Sequence, residues 1–151
     1  GATNFPSLIT LVAGKNGWYT TLPASGERVL FPPVVFGGLV LFPTFVPGNS
    51  GACSGISIGE SSLYALYYLT GSAYSSPTIG TTGSGTEYVK RSTAIGAGGA
   101  SQAVVHVGEN SKQGRATAYV QLTTGELTSL DFTTATGAIN SRVLSWRQGQ
   151  N

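Results

Sequence analysis

The chain has 151 residues, enough for one domain with an apolar core. It is 40% hydrophobic but only 9% charged, where about 25% is usual, and its net charge is +2. Its wealth of aromatic and β-branched residues excludes a disordered chain. With Lys90-Arg91 as the one basic doublet, no electrostatic footprint for nucleic acid is present.

Leu8 to Val12 (Leu-Ile-Thr-Leu-Val) reads as a strand, followed by a turn at Gly14-Lys15-Asn16-Gly17. Trp18 to Leu22 reads as a second strand, ended by Pro23, and no segment shows a helical period with caps. Ala24 to Glu27 turns the chain into Arg28-Val29-Leu30-Phe31, which Pro32-Pro33 interrupts. Strands over 34–36 and 39–46 follow, with Gly37-Gly38 supplying the positive φ of a tight hairpin. The longest uncharged run, Val29 to Pro47, includes Pro32, Pro33, Pro43 and Pro47, so it reads as a hairpin and not as a membrane-spanning helix.

Residues 47–61 form a Gly/Ser/Asn loop around the single cysteine, Cys53. One cysteine makes neither an internal disulfide nor a zinc site. It is read either as a small buried hydrophobe or as a half-cystine whose partner lies elsewhere. Strand 62–69 puts Leu63, Ala65, Tyr67 and Leu69 on one side and Tyr64, Leu66 and Tyr68 on the other, so both faces are apolar and the strand belongs between layers. Residues 72–100 read as a long Gly/Ser/Thr loop with one strand at 87–90, most flexible at Gly96-Ala97-Gly98-Gly99. Strands at 103–108 and 115–121, joined by a turn over 109–114, precede one at 127–132 and a last one at 141–147 carrying Trp146.

The second half repeats the first at an offset of roughly 65–70 residues: two apolar strands meet at a Gly-containing turn and a third runs toward Thr-Gly, at Thr70-Gly71 and at Thr136-Gly137. The reading is a single all-β domain over 1–151. It holds two four-stranded antiparallel propeller-like blades, about 33–90 and 101–147, plus flanking strands at 8–12 and 18–22 from a preceding blade. Two blades cannot close a propeller, so the chain is not a closed propeller by itself.

Three stretches carry a resemblance to a known family. They are Gly17-Trp18-Tyr19-Thr20-Thr21-Leu22 with Gly26-Glu27-Arg28-Val29; Cys53-Ser54 followed by Leu63-Tyr64-Ala65-Leu66-Tyr67-Tyr68-Leu69-Thr70-Gly71; and Arg142-Val143-Leu144-Ser145-Trp146-Arg147. Together, and in this order, they resemble the C-terminal part of the PilC/PilY family of type IV pilus tip-associated adhesins. The motif residues are Trp18, Tyr19, Glu27, Arg28, Cys53, Leu63, Leu66, Thr70, Gly71 and Trp146. The resemblance implies a modified β-propeller at the cell surface with a role in pilus assembly, retraction control and adhesion. Family propellers bind calcium through a loop alternating Asp and Asn, and this chain has nothing like it: Asp131 is its only Asp, so the calcium function does not carry over.

No cofactor or metal is expected. His106 lies between two valines as a strand-face residue, the six carboxylates are scattered singly, and Gly96-Ala97-Gly98-Gly99 lacks the Lys-Ser/Thr of a phosphate loop. The aromatic set Trp18, Tyr19, Tyr64, Tyr67, Tyr68, Tyr74 and Trp146 reads as core packing or as a sugar-binding platform. The first fourteen residues have no basic region and no cleavage site, so no signal peptide is expected in them.

These readings lead to a non-catalytic, extracellular, pilus-associated adhesive domain. Its expected partners are the rest of a larger adhesin or copies of itself through exposed strand edges, with pilus subunits or surface glycans beyond. A self-assembling filament or tube subunit and a fragment of a quinoprotein-type propeller enzyme stand as alternatives.

Overall fold

The computed structural model describes residues 4–48, 58–108 and 113–137. One short helix, α1 (Phe5–Ala13), precedes ten strands: β1 (Arg28–Val29), β2 (Val34–Phe36), β3 (Leu39–Val46), β4 (Glu60–Tyr67), β5 (Thr81–Thr82), β6 (Tyr88–Val89), β7 (Ser92–Ala97), β8 (Val104–His106), β9 (Arg115–Gln121) and β10 (Leu127–Thr133). They form three antiparallel sheets of five, three and two strands, none of which closes or curls. The chain is therefore mostly β, as its composition implies.

The expected strand at 8–12 is instead part of α1. Asn4 caps that helix: its Oδ1 accepts from the Ser7 N–H at 2.9 Å, its own N–H donates to Ser7 Oγ at 3.2 Å, and Pro6 sits in the first turn. This local capping outweighs the β-branched character of Leu-Ile-Thr-Leu-Val, whose apolar positions suit either period. Residues 18–22 form no strand either, because their contacts are side-chain contacts to a sheet face and not a backbone ladder.

The first half does not make a four-stranded unit bounded at 33 and 90. Its sheet has the order β1-β3-β4-β7, with β2 also on β3, while β5 and β6 pair only with each other. Strand β7 comes from the stretch read as a long loop and ends in Gly96-Ala97, the start of the part read as most flexible, beside a β-bulge at Ser61/Ser62 of β4. The hairpin β2–β3 is as expected: Gly37 and Gly38 take φ of +56° and +80°, the positive pair a two-residue type I′ loop requires. In the second half the order is β10-β9-β8, and the fourth expected strand, 141–147, lies outside the described residues.

Central strand β3 contains Pro43, which has no N–H to donate. The register shows how this is tolerated. Ala65 of β4 donates to Arg91 O, on the side away from β3, so two residues earlier Leu63 also points its backbone away from β3. Its partner Pro43 therefore turns its nitrogen away from β4, toward the β1–β2 side. There β1 covers Thr44–Phe45 and β2 covers Leu39–Leu41, while Leu30–Pro33 bulges between them and leaves Pro43 without a strand neighbour.

The two larger sheets share one core. Leu39, Leu41, Leu63 and Ala65 from the five-stranded sheet pack with Ala116, Ala118, Val120, Leu122 and Phe132 around the three-stranded one, and Phe36 meets Phe132 edge-on at 6.3 Å. Fully burying one such leucine stabilises by about 1.5–3 kcal/mol. On the opposite face of the five-stranded sheet, Phe42, Tyr64 and Leu66 are covered by Trp18 and Leu22. The two-faced reading of residues 63–66 is thus borne out.

Candidate functional site

Of the motif residues within the described chain, Trp18, Glu27, Leu66, Thr70 and Gly71 come together as a structural lock around one face of the five-stranded sheet. The Trp18 indole N–H donates to the Tyr68 carbonyl at 2.8 Å, and its ring lies on the Cα of Gly71. A Cβ at Gly71 would stand 2.2 Å from the Trp18 ring, and its φ of +64° also favours glycine. Neighbouring Thr70 is buried and shares a 2.8 Å hydrogen bond with Ser72. The Thr-Gly turn that follows β4 is therefore the seat for the upstream tryptophan.

Glu27 forms the second half of this lock. Its Oε1 accepts from Thr44 Oγ1 at 2.7 Å and its Oε2 from the Ala24 N–H at 3.1 Å. It also faces buried Tyr64, whose phenol is held above its ordinary value of 10.0 first by burial and then by the charge and hydrogen bond of Glu27. Arg28 Nε donates to the Gly26 carbonyl at 3.1 Å, Leu63 and Leu66 are core residues on opposite faces, and Tyr19 projects into solvent at 90% exposure. Cys53 and Trp146 lie outside the described residues.

The aromatic set divides in the same manner. Tyr64 stacks on its cross-strand partner Phe42 at 5.1 Å, and Tyr67 and Tyr74 cluster with Phe5 of α1. These rings hold α1 and the sheet together and leave Tyr19 as the ring most open to solvent among the described residues.

The three-stranded sheet presents a different surface. Every second residue of β9 is buried, so Arg115, Thr117, Tyr119 and Gln121 face outward. The pairing aligns three strands into rows: Arg115 with Thr133; His106, Thr117 and Asp131; Val104, Tyr119 and Ser129; Gln121 with Leu127. Side chains within a row stand about 4.5–5.5 Å apart at Cβ. Thr117 Oγ1 donates to Asp131 Oδ1 at 2.6 Å, and the His106 ring meets Tyr119 at 6.4 Å.

This row is not a hydrolase triad. In a triad the imidazole stands between hydroxyl and carboxylate; here the hydroxyl stands between the other two and gives its proton to the carboxylate. At the Arg115 end of the face is a cleft of about 290 Å³, with Thr78 among the residues that line it. Thr78 is 5% exposed and its hydroxyl has no hydrogen-bond partner among the described residues. The Arg115 guanidinium likewise has no partner there.

His106 is legible as a strand-face residue, but its row is not, since Thr117 and Asp131 come from other strands. The available signal is the polar half of the period-two pattern in 115–121. Among the described residues no group of three His, Cys, Asp or Glu side chains could hold a metal ion, and no helix is long and apolar enough to cross a membrane. Comparison with protein-family models, with curated proteins and with solved structures finds no match.

Proposed function

We propose that this chain is a non-catalytic, extracellular domain of a type IV pilus-associated adhesin, built from propeller-like blades and acting by surface contact. The observation that carries this reading is the outer face of the three-stranded sheet. It presents Val104 and Leu127, 67% and 66% exposed, with Tyr119 between them on paired strands, so an apolar and aromatic surface is held rigidly toward solvent. Two of the stretches that resemble the pilus adhesins, at Trp18–Arg28 and Leu63–Gly71, meet in one lock, which supports kinship through a shared fold signature. Face-to-face packing of two antiparallel sheets is also how neighbouring propeller blades meet.

On this reading the rest of the parent adhesin packs against the remaining surfaces, and copies of the chain meet through faces in preference to strand addition at the β1–β2 edge, which Pro32-Pro33 interrupts. The test is attachment of piliated cells carrying the parent protein with Val104→Asp and Leu127→Asp. Attachment is expected to fall several-fold at unchanged surface level of the protein. Unchanged attachment would overturn the reading.

A further inference from the structure

We propose that the cleft at the Arg115 end of the outer face binds a carboxylate-bearing saccharide, a uronic acid, one sugar ring at a time; the inference rests on the contact-surface reading above. Four groups converge there with complementary demands. Arg115, unpaired among the described residues, offers a planar fork of donors that matches a carboxylate in bidentate fashion. Asp131 is one diagonal step away across β9 and β10, a spacing of about 7–8 Å.

Asp131 already accepts from Thr117, yet a carboxylate has room for further donors, and the hydroxyls of a bound sugar supply them in place of water. Thr78 also lines the cleft, and its buried hydroxyl lacks a partner among the described residues. His106, set edge-to-face against Tyr119, forms the wall beside Thr117.

The combination selects the ligand class. A neutral sugar satisfies Asp131 but leaves the guanidinium without its anion. Inorganic phosphate satisfies Arg115 but brings about two negative charges beside Asp131 and no hydroxyl array. A uronic acid carries one negative charge at one end and vicinal hydroxyls at the other. The cleft volume of about 290 Å³ is at the lower end of ligand pockets, which run from about 300 Å³ upward, and so suits a single ring.

The experiment is calorimetric titration of the 151-residue chain with galacturonic acid oligomers, with neutral galactose oligomers and with inorganic phosphate, in low and moderate salt. The uronate is expected to bind at least tenfold more tightly than either control and to weaken as salt rises. Arg115→Lys keeps the charge, loses the fork and should weaken uronate binding at least tenfold; Asp131→Asn should narrow the preference over the neutral oligomer. Both variants are exposed-face changes, and thermal unfolding is expected to show them folded as the parent chain. Absence of uronate binding, equal affinity for neutral sugar or phosphate, or indifference to Arg115→Lys overturns the proposal. If uronates fail to bind while the Val104 and Leu127 variants still lose attachment, the ligand class falls and the contact-face reading stands. If uronates bind while those variants attach normally, the reverse holds.

Discussion

The two large sheets solve the same problem of burying apolar side chains in different ways. The five-stranded sheet is covered on both faces, so β3 and the Leu63–Tyr67 part of β4 read as nearly continuous apolar runs and even Pro43 and Thr44 are buried. The three-stranded sheet is covered on one face, and β9 alternates strictly between buried Ala116, Ala118 and Val120 and outward Arg115, Thr117 and Tyr119. The first sheet is where substitutions endanger the fold. The second has a face that nothing covers among the described residues, where side chains can vary or bind without disturbing the core.

The sharpest way to break this contrast is truncation. Leu63→Ala, in the fully buried strand, should cost about 2–5 kcal/mol in chemical denaturation. Val104→Ser on the outer face should stay within about 0.5 kcal/mol. If the two cost the same, the division of labour between the sheets is wrong.

Next in size is Gly71→Ala, which forces a Cβ into the Trp18 ring and should destabilise by about 1–3 kcal/mol. In a double-mutant cycle with Trp18→Ala the combined loss should be smaller than the sum, because the ring that the added methyl would strike is gone. Strict additivity would show that Trp18 does not rest on Gly71.

The smallest effect is alkaline. In the fold the Tyr64 phenol is held above its ordinary value of 10.0, so its neutral form favours the native state at every pH below that value, and this stabilisation is lost as pH rises through the raised native value. Thermal midpoints followed from pH 8 upward should therefore fall more steeply for the parent chain than for Tyr64→Phe, with the gap opening only above about pH 10. A gap that opens near neutral pH would point to another group.

Legibility in the sequence follows the same division. The Gly37-Gly38 hairpin, strands 39–46 and 127–132, and the two apolar faces of residues 63–66 are readable because each is fixed by local turn chemistry or by a period of two. Helix α1 escapes such a reading because Leu8, Ile9 and Val12 satisfy a helical stripe as well as a strand, and the deciding signals, Asn4 and Pro6, precede the run. Strand β7 escapes it because Gly96 and the small residues around it disguise a partner for β4. In the site, Trp18, Glu27, Thr70 and Gly71 can be named as a set but not joined, since their contacts span long stretches of chain. The row of His106, Thr117 and Asp131 exists only once three strands are in register.

The gap opposite Pro43 has a consequence for behaviour at high concentration. Edge pieces β1 and β2 are two and three residues long and are separated by two prolines. Cross-β growth requires an uninterrupted segment of about six or seven residues without proline. A chain this poor in charge has little electrostatic repulsion to keep its copies apart. On this side of the five-stranded sheet the broken edge therefore offers no continuous template for amyloid-type stacking, although apolar β3 lies directly behind it.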